Sequence, residues 1–186
     1  NKTTPASLED NDWLTFFRDL YLGFGPSDEL ALRCVRRAYL DFNRTWRGAQ
    51  DPAGRRLDRR TAVEAAIIVA LSKIANASLD QSEFDEWHRR ARLAVMRASD
   101  PEGQETGLTL GQAQKWINMS VKYVVGGRVP GFANLASLAH VPIDRILLAA
   151  LAQVPAFAPA VALLPTGAWS KLTDDRAYDA FQREIR

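Results

Sequence analysis

One cysteine, Cys34, and two histidines, His88 and His140, are all that a chain of 186 residues holds of the usual staple and metal-ligand types. A disulfide framework within the chain is thereby excluded, and so is a Cys/His zinc site. The chain also lacks a phosphate-cradling Gly-x-x-x-x-Gly-Lys loop, a Gly-x-Gly-x-x-Gly dinucleotide fingerprint and a His-Glu-x-x-His metal helix, so no metal and no cofactor is expected. Alternating apolar and polar runs bounded by Asn-Gly or Asp-Gly turns are missing, which leaves strands little support, and no fixed-period repeat is visible. The single long apolar run, Ile146 to Pro165, is broken by Pro155, Pro159 and Pro165. It reads as a buried helix followed by an apolar loop rather than a membrane span, and it would suit a homodimer interface. A start at Asn1 rather than Met points to a trimmed chain, and the first residues lack the basic-then-apolar profile of a signal peptide. A cytoplasmic protein without a membrane segment is the expectation.

What the chain has is apolar content, 47%, and arginine: 19 arginines against 5 lysines, with a formal net charge of +2. This length is enough for one domain, residues 1–186, that buries roughly 70% of the surface its unfolded form would expose. The guanidinium is a planar fork of donors suited to phosphate. Arg33, Arg36 and Arg37 form one cluster, Arg55, Arg56, Arg59 and Arg60 a second, and Arg89, Arg90 and Arg92 a third. Two readings stay open for them, solvated helix surface or a face that binds a polyanion such as DNA.

Helical spacing runs through the chain and predicts an all-α domain of about seven to eight helices. Trp13, Phe16, Phe17, Leu20 and Tyr21 mark a first helix, 7–22, ended by Gly23, Gly25 and Pro26. Ser27 caps a second, reaching Trp46, with Ala31, Cys34, Val35, Ala38 and Phe42 on its apolar stripe and its arginines opposite. Thr61 with Glu64 reads as a capping box for a third helix to about Ala77. Asp80 or Ser82 opens a fourth that stops before Asp100, and Thr109 with Gln112 forms a second capping box for a fifth that ends at Val125. A short helix from Phe132 to His140 follows, then one with Pro142 as its first residue to about Gln153, and a last one capped by Thr173 with Tyr178, Phe181 and Ile185 inward.

The fifth helix carries the candidate chemistry. At 100° per residue Ala113, Trp116, Ile117, Ser120, Val121 and Val124 share one arc, while Gln112, Lys115, Asn118, Met119 and Lys122 share the other. That second arc contains no acid to pair its lysines. It is either a plain exposed face or one that meets an anion or a reacting group. Asp144, just after Pro142, reads either as an ordinary helix N-terminal charge or as a carboxylate aimed from a rigid turn.

A lysine on one helix, then Val141-Pro142-Ile143-Asp144 with the aspartate opening the next, resembles the helix-hairpin-helix DNA glycosylases, in particular the archaeal 8-oxoguanine glycosylase branch. The likeness covers residues 107–150, with Gly107 and Gly111 at a looser spacing before the lysine than that family's hairpin has. It implies that Lys115 is the nucleophile and Asp144 the catalytic carboxylate of a base-excision glycosylase and lyase acting in DNA repair. Under that reading Arg55, Arg56, Arg59, Arg60 and Lys122 contact the nucleic acid, Lys122 lowers the pKa of its neighbour, and Trp116 stacks on the extruded base. The alternative is a non-catalytic helical interaction or regulatory protein. Asp41, Arg44 and Thr45 form a buried ion pair or a pocket wall.

Overall fold

The computed structural model describes residues 10–46, 55–103, 107–165 and 167–186, with side chains in the third helix described from Arg59 onward. Among them lie eight α-helices and no strand: α1 (Asp10–Phe16), α2 (Leu30–Leu40), α3 (Arg55–Ser72), α4 (Gln81–Ser99), α5 (Leu110–Gly126), α6 (Arg145–Ala152), α7 (Ala158–Ala162) and α8 (Asp175–Glu184). The fold class follows the sequence pattern. None of these helices is long and apolar enough to cross a membrane.

The helix starts separate into those that local chemistry determines and those it does not. Asp80 and Glu83 form a reciprocal capping box at α4, and Thr109 and Gln112 form another at α5. Thr61 and Glu64 share that spacing yet sit inside α3, which begins at Arg55; Glu64 is buried and takes Arg36 and Arg60 instead. The second helix ends at Leu40, six residues before Trp46, because Asp41 and Phe42 close it and a 3₁₀ turn, Asn43–Thr45, carries the chain onward. Pro142 is not a first helical residue: α6 starts at Arg145, Asp144 is its N-cap, and residues 141–143 belong to no helix. At α8 the cap is Asp174 rather than Thr173. Where an apolar loop was expected, α7 forms a short helix with Pro159 in its first turn.

α5 is the axis of the molecule, packed against α2, α4 and the 3₁₀ turn Trp169–Lys171. Trp116 is fully enclosed, its ring 5.0 Å from Tyr39, 5.4 Å from Phe42 and 6.3 Å from Trp46, and its Nε1 donates to Val35 O at 2.9 Å. Such ring pairs each contribute about 0.5–1.5 kcal/mol beyond the area they bury. A second apolar cluster, Leu110, Ile143, Ala160, Leu172, Tyr178 and Phe181, is joined to the first through Met96 and Trp169. After α1 a π-helical turn, Phe17–Tyr21, brings Tyr21 Oη within 3.0 Å of Tyr123 Oη and leaves Trp13, Phe16 and Leu20 facing outward. Arg33 is not opposite the core of α2. It is buried and donates to the carbonyls of Gly25 and Arg18.

Candidate functional site

The polar arc of α5 is neither a plain exposed face nor a lysine-lined surface. Gln112, Gln114, Lys115, Asn118 and Met119 are all buried, and only Lys122, two turns beyond Lys115, is exposed. Burying so many polar groups is tolerable only if each finds a partner. The non-helical segment 141–144 and α8 supply many of those partners by folding over this face.

Lys115 and Asp144, 29 residues apart in sequence, meet there. Lys115 Nζ lies 2.5 Å from Asp144 Oδ2. The lysine is 4% exposed, whereas the Asp144 side chain keeps 27% of its surface open. Asp144 Oδ1 accepts from Leu147 N at 2.8 Å, so the N-cap geometry of α6 aims the other oxygen at the lysine. Burial pushes the Asp144 carboxyl up, but the hydrogen bonds from Leu147 N and from the Lys115 ammonium outweigh it and hold the pKa below the ordinary carboxylate value. Ile143 and Arg145, on either side of Asp144, line two clefts of about 120 and 510 Å³ that share Leu148, Gly167, Ala168 and Trp169. Lys115 lines neither. A roomier groove, about 670 Å³, lies between α3 and α4 around Val69, Ala70 and Trp87, and contains no α5 or α6 residue.

The nucleic-acid candidates fare differently. Trp116 cannot stack on a base, because both faces of its ring are packed in the core. The side chains of Arg55 and Arg56 lie outside the described residues. Arg60 is committed to Glu64 at 2.6 Å and to the Tyr39 ring at 4.4 Å, and Arg59 is also engaged. Arg89 and Arg90 both pair with Glu86, while Arg92 is buried over Tyr178 with Asp175 and Asp179. Asp41 pairs with Arg37 at 3.1 Å rather than with Arg44, and accepts from Tyr123 Oη at 2.7 Å; Asp41 and Arg44 are both exposed, so the expected buried ion pair among Asp41, Arg44 and Thr45 does not form. The basic side chains that do flank the clefts beside Asp144 are Arg145 and Lys171, both exposed. Isolated single charges of this kind carry no pattern in a sequence.

Sequence reasoning also missed a buried polar network beside the pair. Asn118 Nδ2 faces Gln114 Oε1 at 2.9 Å, Tyr178 Oη at 3.0 Å and Val141 O at 3.2 Å. Tyr178 Oη accepts from Asn118 and so donates to His140 Nδ1 at 3.0 Å, leaving His140 Nε2 to donate to Asp85 Oδ1 at 2.8 Å. His88 Nε2 lies 2.6 Å from Asn118 Oδ1, while its Nδ1 is buried without a partner. Burial, then the neighbouring His140 and Arg92, hold His88 well below the ordinary imidazole value of 6.5. His140 is lowered too, its burial outweighing the help of Asp85. Both imidazoles therefore favour the neutral form more strongly in the fold than in the unfolded chain.

A folded pKa below the unfolded one means that the unfolded chain binds more protons, so stability is full above about pH 6.5 and falls as pH drops through and below that value. Urea unfolding between pH 8 and pH 5 should show this decline, and His88→Gln should flatten it. A pH-independent midpoint across that range would show that the imidazoles titrate alike in both states.

Among the described residues no three His, Cys, Asp or Glu side chains gather as metal ligands. Compared with protein-family models, curated proteins and solved structures, the chain matches none.

Proposed function

We propose that the chain is a DNA base-excision enzyme of the glycosylase and lyase kind, with Lys115 as nucleophile and Asp144 as its proton-transfer partner. The observation that carries this reading is the buried ammonium of Lys115, 2.5 Å from the partly exposed carboxylate of Asp144, whose chain neighbours Ile143 and Arg145 each line a cleft. Burial and a fixed carboxylate are what an amine needs to react at one carbon rather than to remain a solvated charge. Arg145 and Lys171 are placed to hold phosphates on either side.

The C1′–N glycosidic bond breaks and the departing base takes a proton from the Lys115 ammonium. The freed amine's lone pair then forms the Nζ–C1′ bond, giving a secondary ammonium. Asp144 takes a proton from that nitrogen and returns it to O4′ as the C1′–O4′ bond opens, leaving an iminium between Nζ and C1′. Borohydride reduces an iminium to a stable amine. The test is therefore trapping: wild-type protein incubated with abasic and lesion-bearing duplexes and borohydride should give a covalent protein–DNA band. No band on abasic DNA and on a panel of oxidised and deaminated bases overturns the proposal.

One observation favours a second reading, a helical interaction module. Trp13, Phe16, Leu20 and Phe24 are all more than half exposed around α1, and the α3–α4 groove has an alanine-rich floor. Such surfaces suit a protein partner and have no part in the base-excision chemistry.

A further inference from the structure

Val141 and Ile143 belong to no helix, yet their four backbone polar groups are all held by two buried glutamine side chains. Gln114 of α5 is fully buried; its Nε2 donates to Ile143 O at 3.0 Å and its Oε1 accepts from Ile143 N at 3.2 Å. Gln182 of α8, 1% exposed, treats Val141 in the same manner, accepting from its N at 3.1 Å and donating to its O at 2.9 Å. Each primary amide takes the place of a neighbouring strand's peptide. Between the two clasped residues stands Pro142, which has no N–H to satisfy.

The Gln114 amide has one permitted orientation. Its Oε1 also accepts from Asn118 Nδ2 at 2.9 Å and its Nε2 also donates to Gly111 O at 2.9 Å, so both donors and both lone pairs are used. Flipping it would set its NH₂ against two donors and its oxygen against two carbonyls. Asp144 follows Ile143 directly and is tied on its other side to Leu147 N.

We infer that Gln114 and Gln182 are positioning residues that clasp the 141–143 segment onto α5 and α8 and thereby aim the Asp144 carboxylate at Lys115. The catalytic half of this inference rests on the proposed reaction, whereas the clasp itself is tested without it. In the wild-type protein, hydrogen exchange at the Val141 and Ile143 amides should be as slow as in the middle of α5, although neither residue is in a helix. Gln114→Leu and Gln182→Leu keep much of the side-chain volume and remove the bonds. In either variant Asp144, followed by carboxyl NMR, should titrate closer to the ordinary value of 3.8 as its contact with Lys115 loosens. Single-turnover adduct formation on abasic DNA should slow roughly 10²-fold with DNA affinity unchanged, the cost of displacing a reacting group by about 1 Å.

If the wild type gives no adduct, the base-excision reading fails and the exchange and titration results alone decide the clasp. Should a leucine variant fail to fold, exchange in the wild type still decides it. Val141 and Ile143 amides that exchange like those of an open loop overturn the inference. So do folded leucine variants in which Asp144 titrates as in the wild type.

Discussion

Lys115→Gln should yield no borohydride-trapped adduct on abasic DNA while costing the fold little. Glutamine has no amine to form an iminium, so trapping is lost outright. Its Nε2 can still donate toward Asp144, whose side chain is 27% exposed and keeps its bond from Leu147 N, so the stability loss is about 1 kcal/mol. Asp144→Asn should behave in the opposite way. Asparagine still caps α6, but it leaves an ammonium that is 4% exposed without a counter-charge. Removing one partner of a buried pair costs about 3–5 kcal/mol. Urea unfolding of both variants, run beside trapping, separates chemistry from stability. An adduct that persists in Lys115→Gln assigns the reaction to another amine, and equal small losses in the two variants would show that water reaches the Lys115 ammonium.

Gly111→Ala should destabilise the protein by roughly 3–4 kcal/mol, an overpacking cost with a lost hydrogen bond added. An alanine Cβ at Gly111 would lie 1.9 Å from the Trp169 carbonyl oxygen and 3.2 Å from Leu172 Cβ. Backbone cannot rotate aside as a side-chain tip can. The 169–172 turn must therefore move, breaking the Gly111 N to Leu172 O bond of 3.0 Å and the Thr109 Oγ1 to Ser170 O bond of 2.6 Å. Alanine's better helix propensity offsets at most about 1 kcal/mol of this. Gly126, at the other end of α5, is the control, since a Cβ there meets only Phe17 at 3.8 Å. Gly126→Ala should be neutral or stabilising by up to about 1 kcal/mol. Denaturant midpoints measure both, and a Gly111→Ala midpoint equal to wild type would mean that the 169–172 turn does not dock on α5 as described.

The same contrast runs through what could and could not be read in advance. The box at Thr109–Gln112, and Asp80 as one of two candidate openers of α4, are legible because a cap needs only residues a few apart. Thr61–Glu64 shows the limit of that reading: the residues upstream of it favour helix as well, so the same letters fall inside α3. Of the candidate site, Lys115 is legible as part of an arc without acids and Asp144 as a carboxylate just after Pro142; the family likeness only assigns them roles, and the fold sets them 2.5 Å apart. Gln114, His140 and Gln182 carry no such signal, since each comes from a stretch where a polar residue ordinarily faces water; Tyr178 is legible only as an inward residue and Asn118 only as a member of the polar arc.

Helical class, the caps of α4 and α5 and the exclusion of an internal disulfide were determined by the sequence alone, through interactions that span a few residues or through simple absence. Only tertiary structure decided that the polar arc of α5 would be interior. An amphipathic pattern assigns polar residues to solvent unless another element arrives carrying matched donors and acceptors. Here α8 and residues 141–144 do so from 23 residues or more along the chain, which no local pattern encodes.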